Sequence, residues 1–535
     1  MREHQLGVAL PVVIPNRPQG RLGANHPWAG PPAGVGWGQP RGKSGTTAGS
    51  ATVTIPEPRP DGPDGPDGPA ALAASGASTA SAAPSPPATP ARDRYPDALR
   101  AGALMVVVFG HWLATLPRLE GGRMVTTDHL LHVWAGAGLL TWVLQVVPLF
   151  VFVSAAVSAD GAARRLDAGE RHARWWAGRA LGLARPTVTY LAVLTAMAAI
   201  AVFSGGRLLR PLDQSLTVHL WFLVMLLAVQ AFLPLSIRAD RRFGLRAVAG
   251  LLAVVFVTDL LRSGASSPGE LRELGTLVTA TGGGIGWVNA LAVWLLPQQL
   301  GIAWKLGRFG GFRTGLGLLV LGLGWLVAAV GVGYPVAMIG GDLAGTSNVL
   351  PPTLALVGVM WVQAGAVLLA EGPARRALQH RSIERVVAQL GSLSMALYLW
   401  HKLAELPAAW LGERLRVPLD AGVPGDPGFW AGRLWWLALC SVAVLPVLVA
   451  VVAFETRRQR EVAPTTSTRA TVAGGVLVTV GIATAMALGA QPGAAVGLAC
   501  VGAASYLLRA RGQRRPAGDQ RRSPAGPVEP RATSR

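Results

Sequence analysis

From Leu99 onward the chain consists of long apolar runs broken by short polar segments, without the polar stripe of a soluble amphipathic helix. A run near 20 residues, rising 1.5 Å per residue as a helix, spans a hydrocarbon core about 30 Å thick. Twelve such runs are predicted. They cover Leu99–Leu116, Leu139–Val157, Pro186–Phe203, Val218–Leu235, Ala247–Leu261, Ile285–Trp304, Leu316–Gly333, Thr353–Leu369, Val387–Ala409, Leu434–Phe454, Val472–Leu488 and Ala494–Leu508, the last being short for a span. The expected fold class is therefore all-α, a polytopic membrane helical bundle.

The segments between the runs alternate in charge. Arg92, Arg94 and Arg100 precede or open the first run, and Arg164, Arg165, Arg171, Arg174, Arg179 and Arg185 separate the second from the third. Basic clusters recur at Arg238–Arg246, Lys305–Arg313, Arg375–Arg385, Arg457–Arg460 and from Arg509 onward. The intervening loops are sparser or mixed, as in Arg118/Glu120/Arg123/Asp128. Cytoplasmic loops are the ones enriched in Lys and Arg, so this alternation predicts a multi-pass protein of the cell (plasma) membrane with both termini cytoplasmic.

Composition agrees: 51% of residues are hydrophobic, mean hydropathy is +0.40, and 14% are charged, against about 25% in soluble domains. The net charge of +20 sits in loops and tail rather than on one face, which argues against nucleic acid as a partner. Cys440 and Cys500 both lie inside apolar runs, so neither a disulfide framework nor a metal site is expected. Residues 1–92, rich in Pro, Gly, Ala and Ser and carrying PDGPDGPDGP, read as a disordered cytoplasmic head without an evident signal peptide. The GKSG at Gly42–Gly45 lacks the upstream glycine of a phosphate-binding loop, since Trp37 stands there. Residues 509–535 read as a basic disordered tail.

Candidate chemistry concentrates in the first run. Arg100 and His111 are eleven residues apart, roughly 16 Å along a helix. With Arg100 at a membrane surface, His111 lies near the midplane, where an ionisable group is expensive and marks function. His219, Gln145, Ser154, Asp259, Asn289, His401, Lys402 and Glu405 also fall at membrane depth. A lone Ser, Asn or Gln there reads as an interhelical hydrogen bond, and His401, Lys402 and Glu405 as the outer end of a helix, where a surface or snorkelling role weighs equally with a functional one.

The pattern Arg100–ten residues–His111 resembles the opening of the membrane acyltransferase-3 family. TWVLQVVPLFVFVSAAVSA looks like that family's second helix, HLWFLVMLL at His219–Leu227 its loop-to-helix entry, and GSLSMALYLWH at Gly391–His401 its late Ser…Tyr-Leu-x-His helix. VWLLPQQLGIAW and SNVLPPTLAL are similar to segments of one branch of the family. Three departures are visible. Ser154–Ala155 stands for the family's Ser-Gly, Phe150–Val151 for Phe-Phe, and Arg179 and Arg185 for a compact arginine motif.

The resemblance implies a ten-helix acyltransferase core at 93–456, two additional C-terminal spans at 457–508, and transfer of an acyl group, often acetyl. The donor would be acyl-CoA, a co-substrate rather than a bound cofactor. The acceptor would be a hydroxyl or amino group of a carbohydrate or lipid-linked molecule, within a shell of membrane lipids. His111 would be the catalytic base, since a neutral imidazole suits proton transfer near pH 7. Arg100, Arg179, Arg185, Ser154 and His401 would bind substrate or donor, guanidinium groups holding phosphate bidentately. The competing reading from the residues alone is a transporter or flippase of a lipid-linked saccharide, although no inverted repeat is visible. Because a disordered head buries nothing, a chain starting near Arg92 is expected to insert and to complement a null strain as the full chain does; lost complementation at normal expression would refute this.

Overall fold

The structure is a computed structural model describing residues 93–120, 123–203, 209–264, 284–340, 347–419, 422–458 and 463–510. The predicted head, and all but the first two residues of the predicted tail, lie outside the described residues. Helix α1 (Tyr95–Ala114) leads into an antiparallel hairpin of β1 (Thr115–Glu120) and β2 (Arg123–His129). Then follow α2 (Ala137–Leu144), α3 (Val147–Asp167), α4 (His172–Phe203), α5 (Trp221–Ala231), α6 (Leu233–Phe243), α7 (Arg246–Gly264) and α8 (Val288–Lys305). The second half comprises α9 (Phe312–Gly331), α10 (Ala355–Ala377), α11 (Arg381–Trp400), α12 (Glu405–Arg414), α13 (Phe429–Arg458), α14 (Thr468–Leu488) and α15 (Ala490–Leu507). The chain is a polytopic helical bundle.

Seven segments among the described residues are long and apolar enough to cross a membrane: α1, α2 with α3, α4, α9, α10, α13 and α14. The pair Ser215–Ala231 and Leu233–Phe243, bent by 48°, makes an eighth. Helices α7, α8, α11 and α15, of 18 to 20 residues, fall on the four remaining predicted runs. All twelve runs are thus helical, although four do not meet the length-and-hydropathy requirement by themselves.

Ion pairs join the basic loops to one another. Arg94 meets Glu384 at 3.1 Å, Arg375 meets Asp93 at 2.9 Å, Arg241 meets Asp167 at 2.7 Å, and Arg308 meets Asp240 at 3.2 Å. These loops are far apart in sequence yet share one end of the bundle, as the charge alternation requires. Most of the pairs are exposed and each contributes little to stability. Their value here is to fix which ends of the helices lie together.

Helices that touch without a hydrophobic drive from water need close backbones, which small residues provide. Between α9 and α10 a Cβ at Gly322 would meet the Val362 nitrogen at 2.6 Å and the Gly358 oxygen at 2.7 Å. The two predicted extra spans, α14 and α15, pack as a hairpin against α4 and against the turn Ser215–Val218. Asp213 ties the start of α15 to that turn: its carboxylate accepts from the Gln491 N–H at 2.8 Å and its carbonyl from the Ala490 N–H at 3.0 Å. A carboxylate there also opposes the positive end of the helix dipole.

Three predicted runs are corrected. The first ends at Ala114, not Leu116, and the mixed loop after it is the β-hairpin, a small departure from an all-α chain. The second is broken between α2 and α3 at Gln145–Val146, because Pro148 can only start a helix without losing a hydrogen bond and clashing with the preceding turn. Side chains take over the freed groups: Gln363 donates to the Gln145 carbonyl at 2.6 Å, and Gln145 donates to the Met338 carbonyl at 3.1 Å. The ninth stops at Trp400 and resumes at Glu405, since Pro407 would clash with the Leu403 carbonyl in a continuous helix. Reporter fusions after Arg174 and Arg381 are expected to read cytoplasmic and fusions after Arg123 and Gly341 (the latter outside the described residues) extracytoplasmic; any inversion among the four refutes the orientation.

Candidate active site

A cavity of about 450 Å³ runs beside α1. Its wall includes Arg100 near the start of the helix, His111 in its last turn and Ala114 at its end, a stretch of roughly 21 Å. Arg179 of α4 lines the same end as Arg100, and His129 of β2 and Gly340 line the hairpin end. The remaining surface is largely aliphatic and aromatic, with Ser154 of α3 among its polar members. The cavity therefore connects the end of the bundle that carries the basic loops with the end that carries the hairpin.

At the cationic end, Arg100 lies over the Phe150 ring at 5.7 Å and Arg179 over the Trp175 ring at 5.1 Å. Arg179 also donates to the Ser158 hydroxyl at 3.3 Å, and the charges of Arg100 and Arg179 act on each other. Two guanidinium groups side by side on a largely apolar wall have the chemistry to attract an anion with several negative oxygens. Arg185 is not brought there. Six residues beyond Arg179 on a helix of 3.6 residues per turn, it faces roughly 120° away, and it does not line the cavity.

In the last turn of α1, toward the hairpin end of the cavity, the Nδ1 of His111 lies 2.8 Å from the Nε2 of His401, with nearly parallel rings. The other nitrogen of His401, Nδ1, lies 2.8 Å from the Tyr398 carbonyl, which can only accept. Neutral His401 therefore carries its proton on Nδ1 and accepts on Nε2. His111 must then donate from Nδ1, which leaves its Nε2 as a lone pair, the form of a general base. Surrounding bonds hold this chain in place. Trp112 donates to the His401 carbonyl at 3.0 Å, and Trp436 to the Trp112 carbonyl at 2.9 Å.

The trio read as a snorkelling helix end is instead buried: His401 and Glu405 are 0% exposed and Lys402 6%. Burial is possible because the charges meet each other. Lys402 donates to Glu405 at 2.6 Å and to the Thr115 hydroxyl at 2.9 Å, while Arg433 donates to the Thr115 carbonyl at 2.7 Å. Breaking such a buried pair by removing one partner costs about 3–5 kcal/mol. The cluster clamps the end of α1 just beyond His111.

At the hairpin end, His129 accepts the Leu131 N–H on Nδ1 at 3.3 Å, so its proton sits on Nε2 as a donor. Burial, followed by the charges of His132 and Lys402, pulls its pKa down to about 4; it stays neutral at any ordinary working pH. Nothing in the sequence singles out His129, which has the setting of a loop residue. His219, noted there only as polar and deep, also lines the cavity. Among the described residues no group of three or more His, Cys, Asp or Glu side chains is arranged to hold a metal ion.

No curated protein and no solved structure matches the chain. Residues 93–455 match the acyltransferase domain of the acyltransferase-3 family. That span begins two residues before α1 and ends within α13, so it holds every cavity residue described above and leaves α14 and α15 outside. The chain belongs to the acyltransferase-3 family and is a membrane acyltransferase.

Proposed function

We propose that this acyltransferase takes an acyl group, acetyl foremost, from acyl-CoA and esterifies a hydroxyl of a cell-envelope or exported glycan or glycolipid. The observation that carries the reading is one cavity with two arginines at one end and, toward the other, a histidine with an open lone pair followed by a neutral hydrogen-bond donor. Donor phosphates suit Arg100 and Arg179, and a slender acyl-thioester arm suits the apolar passage toward His111. A polar acceptor suits the His129 end. With the basic loops in the cytoplasm, the donor enters from the side where coenzyme A is made, and the acceptor from outside the plasma membrane.

The thioester is already activated, so the protein must chiefly orient the two substrates and move one proton. The Nε2 of His111 takes the proton of the acceptor hydroxyl as its oxygen adds to the acyl carbon. The tetrahedral species collapses, the carbon–sulfur bond breaks, and the thiolate takes the proton back from the imidazolium. An ester and free coenzyme A result. His401 acts as a positioning residue, because its accepting Nε2 fixes the His111 tautomer.

Mass spectrometry of envelope glycolipids and polysaccharides from cells with and without the gene tests the reading. Loss of an acetyl-sized mass from one species supports it; identical profiles with a precursor accumulating on one leaflet refute it in favour of transport. Arg100→Lys keeps the charge but loses the planar fork. It is expected to raise KM for acetyl-CoA about tenfold or more while kcat falls less. A fall in kcat alone removes Arg100 from the donor site. His111→Ala is expected to lower kcat by about 10²–10⁴-fold with donor binding retained. His111→Gln, which hydrogen-bonds but takes no proton, is expected to be nearly as inactive, and near-normal turnover in it would refute the base.

A further inference from the structure

Beyond His111 the cavity wall turns aliphatic. It includes Leu113 and Ala114 of α1, Leu130 and Leu131 just after the hairpin, and Ala137 and Leu140 of α2. Leu113 packs with Leu130, Leu131 and Ala137 in one apolar cluster, so this wall is continuous. Thr141 also lines the cavity, but its hydroxyl donates to the Gly138 carbonyl at 2.5 Å and accepts the Met338 N–H at 2.7 Å. Its polar group is committed within the protein. A wall of this kind favours hydrocarbon over water.

Helix α1 makes room along this wall by losing bulk. Its cavity face passes from Leu104 through Val107 to Gly110 and Ala114, with His111 between the last two. A glycine inside a helix weakens it relative to alanine. At Gly322 the missing Cβ lets two helix backbones touch, but a Cβ at Gly110 would meet nothing within 4 Å. The bare flank beside His111 is therefore open cavity and not a helix contact. A thioester sends its two arms in opposite directions from the carbonyl carbon. With the coenzyme A arm toward Arg100 and the carbonyl carbon at the His111 Nε2, the acyl chain points past Ala114 onto the leucine wall.

We propose that this wall is an acyl-chain pocket, that the enzyme transfers chains longer than acetyl, and that Gly110 and Leu140 set the length accepted. The inference rests on the acyl-transfer reading above and adds the acyl class to it. Acetyl leaves the leucine wall uncovered, whereas a propionyl or butyryl chain reaches it. The step itself is unaltered. The acceptor oxygen bonds to the acyl carbon, its proton passes by way of His111 to the leaving thiolate, and the carbon–sulfur bond breaks. The chain makes and breaks no bond. It holds the acyl carbon against His111, with an affinity that grows with the apolar area covered.

The test uses the full chain in lipid nanodiscs with an extract of envelope glycolipids as acceptor. Acetyl-, propionyl-, butyryl- and hexanoyl-CoA are compared by thiol release and by the matching mass gain on a glycolipid. Propionyl and butyryl are expected to give kcat/KM within about tenfold of acetyl or above it. Gly110→Ala, which puts a methyl into the open flank, is expected to lower the butyryl-to-acetyl ratio of kcat/KM about tenfold or more. Its Tm should equal or exceed that of the wild type, since alanine is the better helix former. Gly102→Ala makes the same change on α1 away from the cavity, and its ratio should match the wild type. Leu140→Ala, which removes bulk from the α2 side, is expected to raise the hexanoyl-to-acetyl ratio about tenfold, a gain that damage to the fold does not produce. A wild-type propionyl value more than about tenfold below acetyl overturns the proposal, as does an unchanged ratio in either active variant. If Gly110→Ala is inactive with every donor, the Leu140→Ala ratio decides. A wild-type chain that releases thiol from none of these donors overturns the acyl-CoA reading, and this inference with it; transfer of acetyl alone overturns this inference and leaves that reading standing.

Discussion

The structure hinges on a constraint that hydrocarbon imposes: a polar group inside the bundle finds its partner in the protein or finds none. The seam between α1 and α11 meets it by reciprocal bonding. The backbone at His401 accepts the Trp112 indole, the backbone at Trp112 accepts the Trp436 indole, and the two histidine side chains join each other. Just beyond, Thr115 gathers Lys402, Glu405 and Arg433. These contacts bridge residues about 290 or more positions apart, so the surroundings of the two histidines exist only once both ends of the domain have assembled. Local helix formation can supply the rods, but this polar seam sets their order and depth.

The cavity is the counterpart of that seam. Where the helices bond to one another they close; where α2 and α3 are interrupted and α1 presents Gly110 and His111, a passage remains. The interruption does not leave bare backbone facing lipid, because Gln145, Gln363 and Thr141 absorb the freed groups. Irregular backbone at membrane depth is tolerated where it borders a cavity within protein, and here it borders the passage between the arginine end and the hairpin end.

Much of this was legible in the sequence, and the limits have physical causes. Each apolar run became helix because length and hydropathy are properties of contiguous residues. The spacing from Arg100 to His111 was readable because both ride one helix. The interruptions were not readable, since Pro148 and Pro407 look no different in sequence from Pro186, Pro297, Pro373 and Pro446, which sit inside continuous helices. Whether a proline breaks a helix depends on what neighbouring helices offer the orphaned carbonyls. The contact of His401 with His111 was hidden by sequence separation, and His129 by its place in a loop that becomes a hairpin bordering the cavity. Arg185 looked equivalent to Arg179, and only helical phase separates them.

The Asp213 carboxylate has an effect that reaches beyond the α15 terminus it caps. It sits six residues before His219, on the segment that α14 and α15 brace from outside the family's common domain. Those two helices contribute no residue to the cavity lining, yet they hold the segment that leads into α5. An appended element of this kind behaves as an accessory subunit fused in cis. Substitutions in that hairpin can alter how the segment is held without changing any residue that lines the cavity.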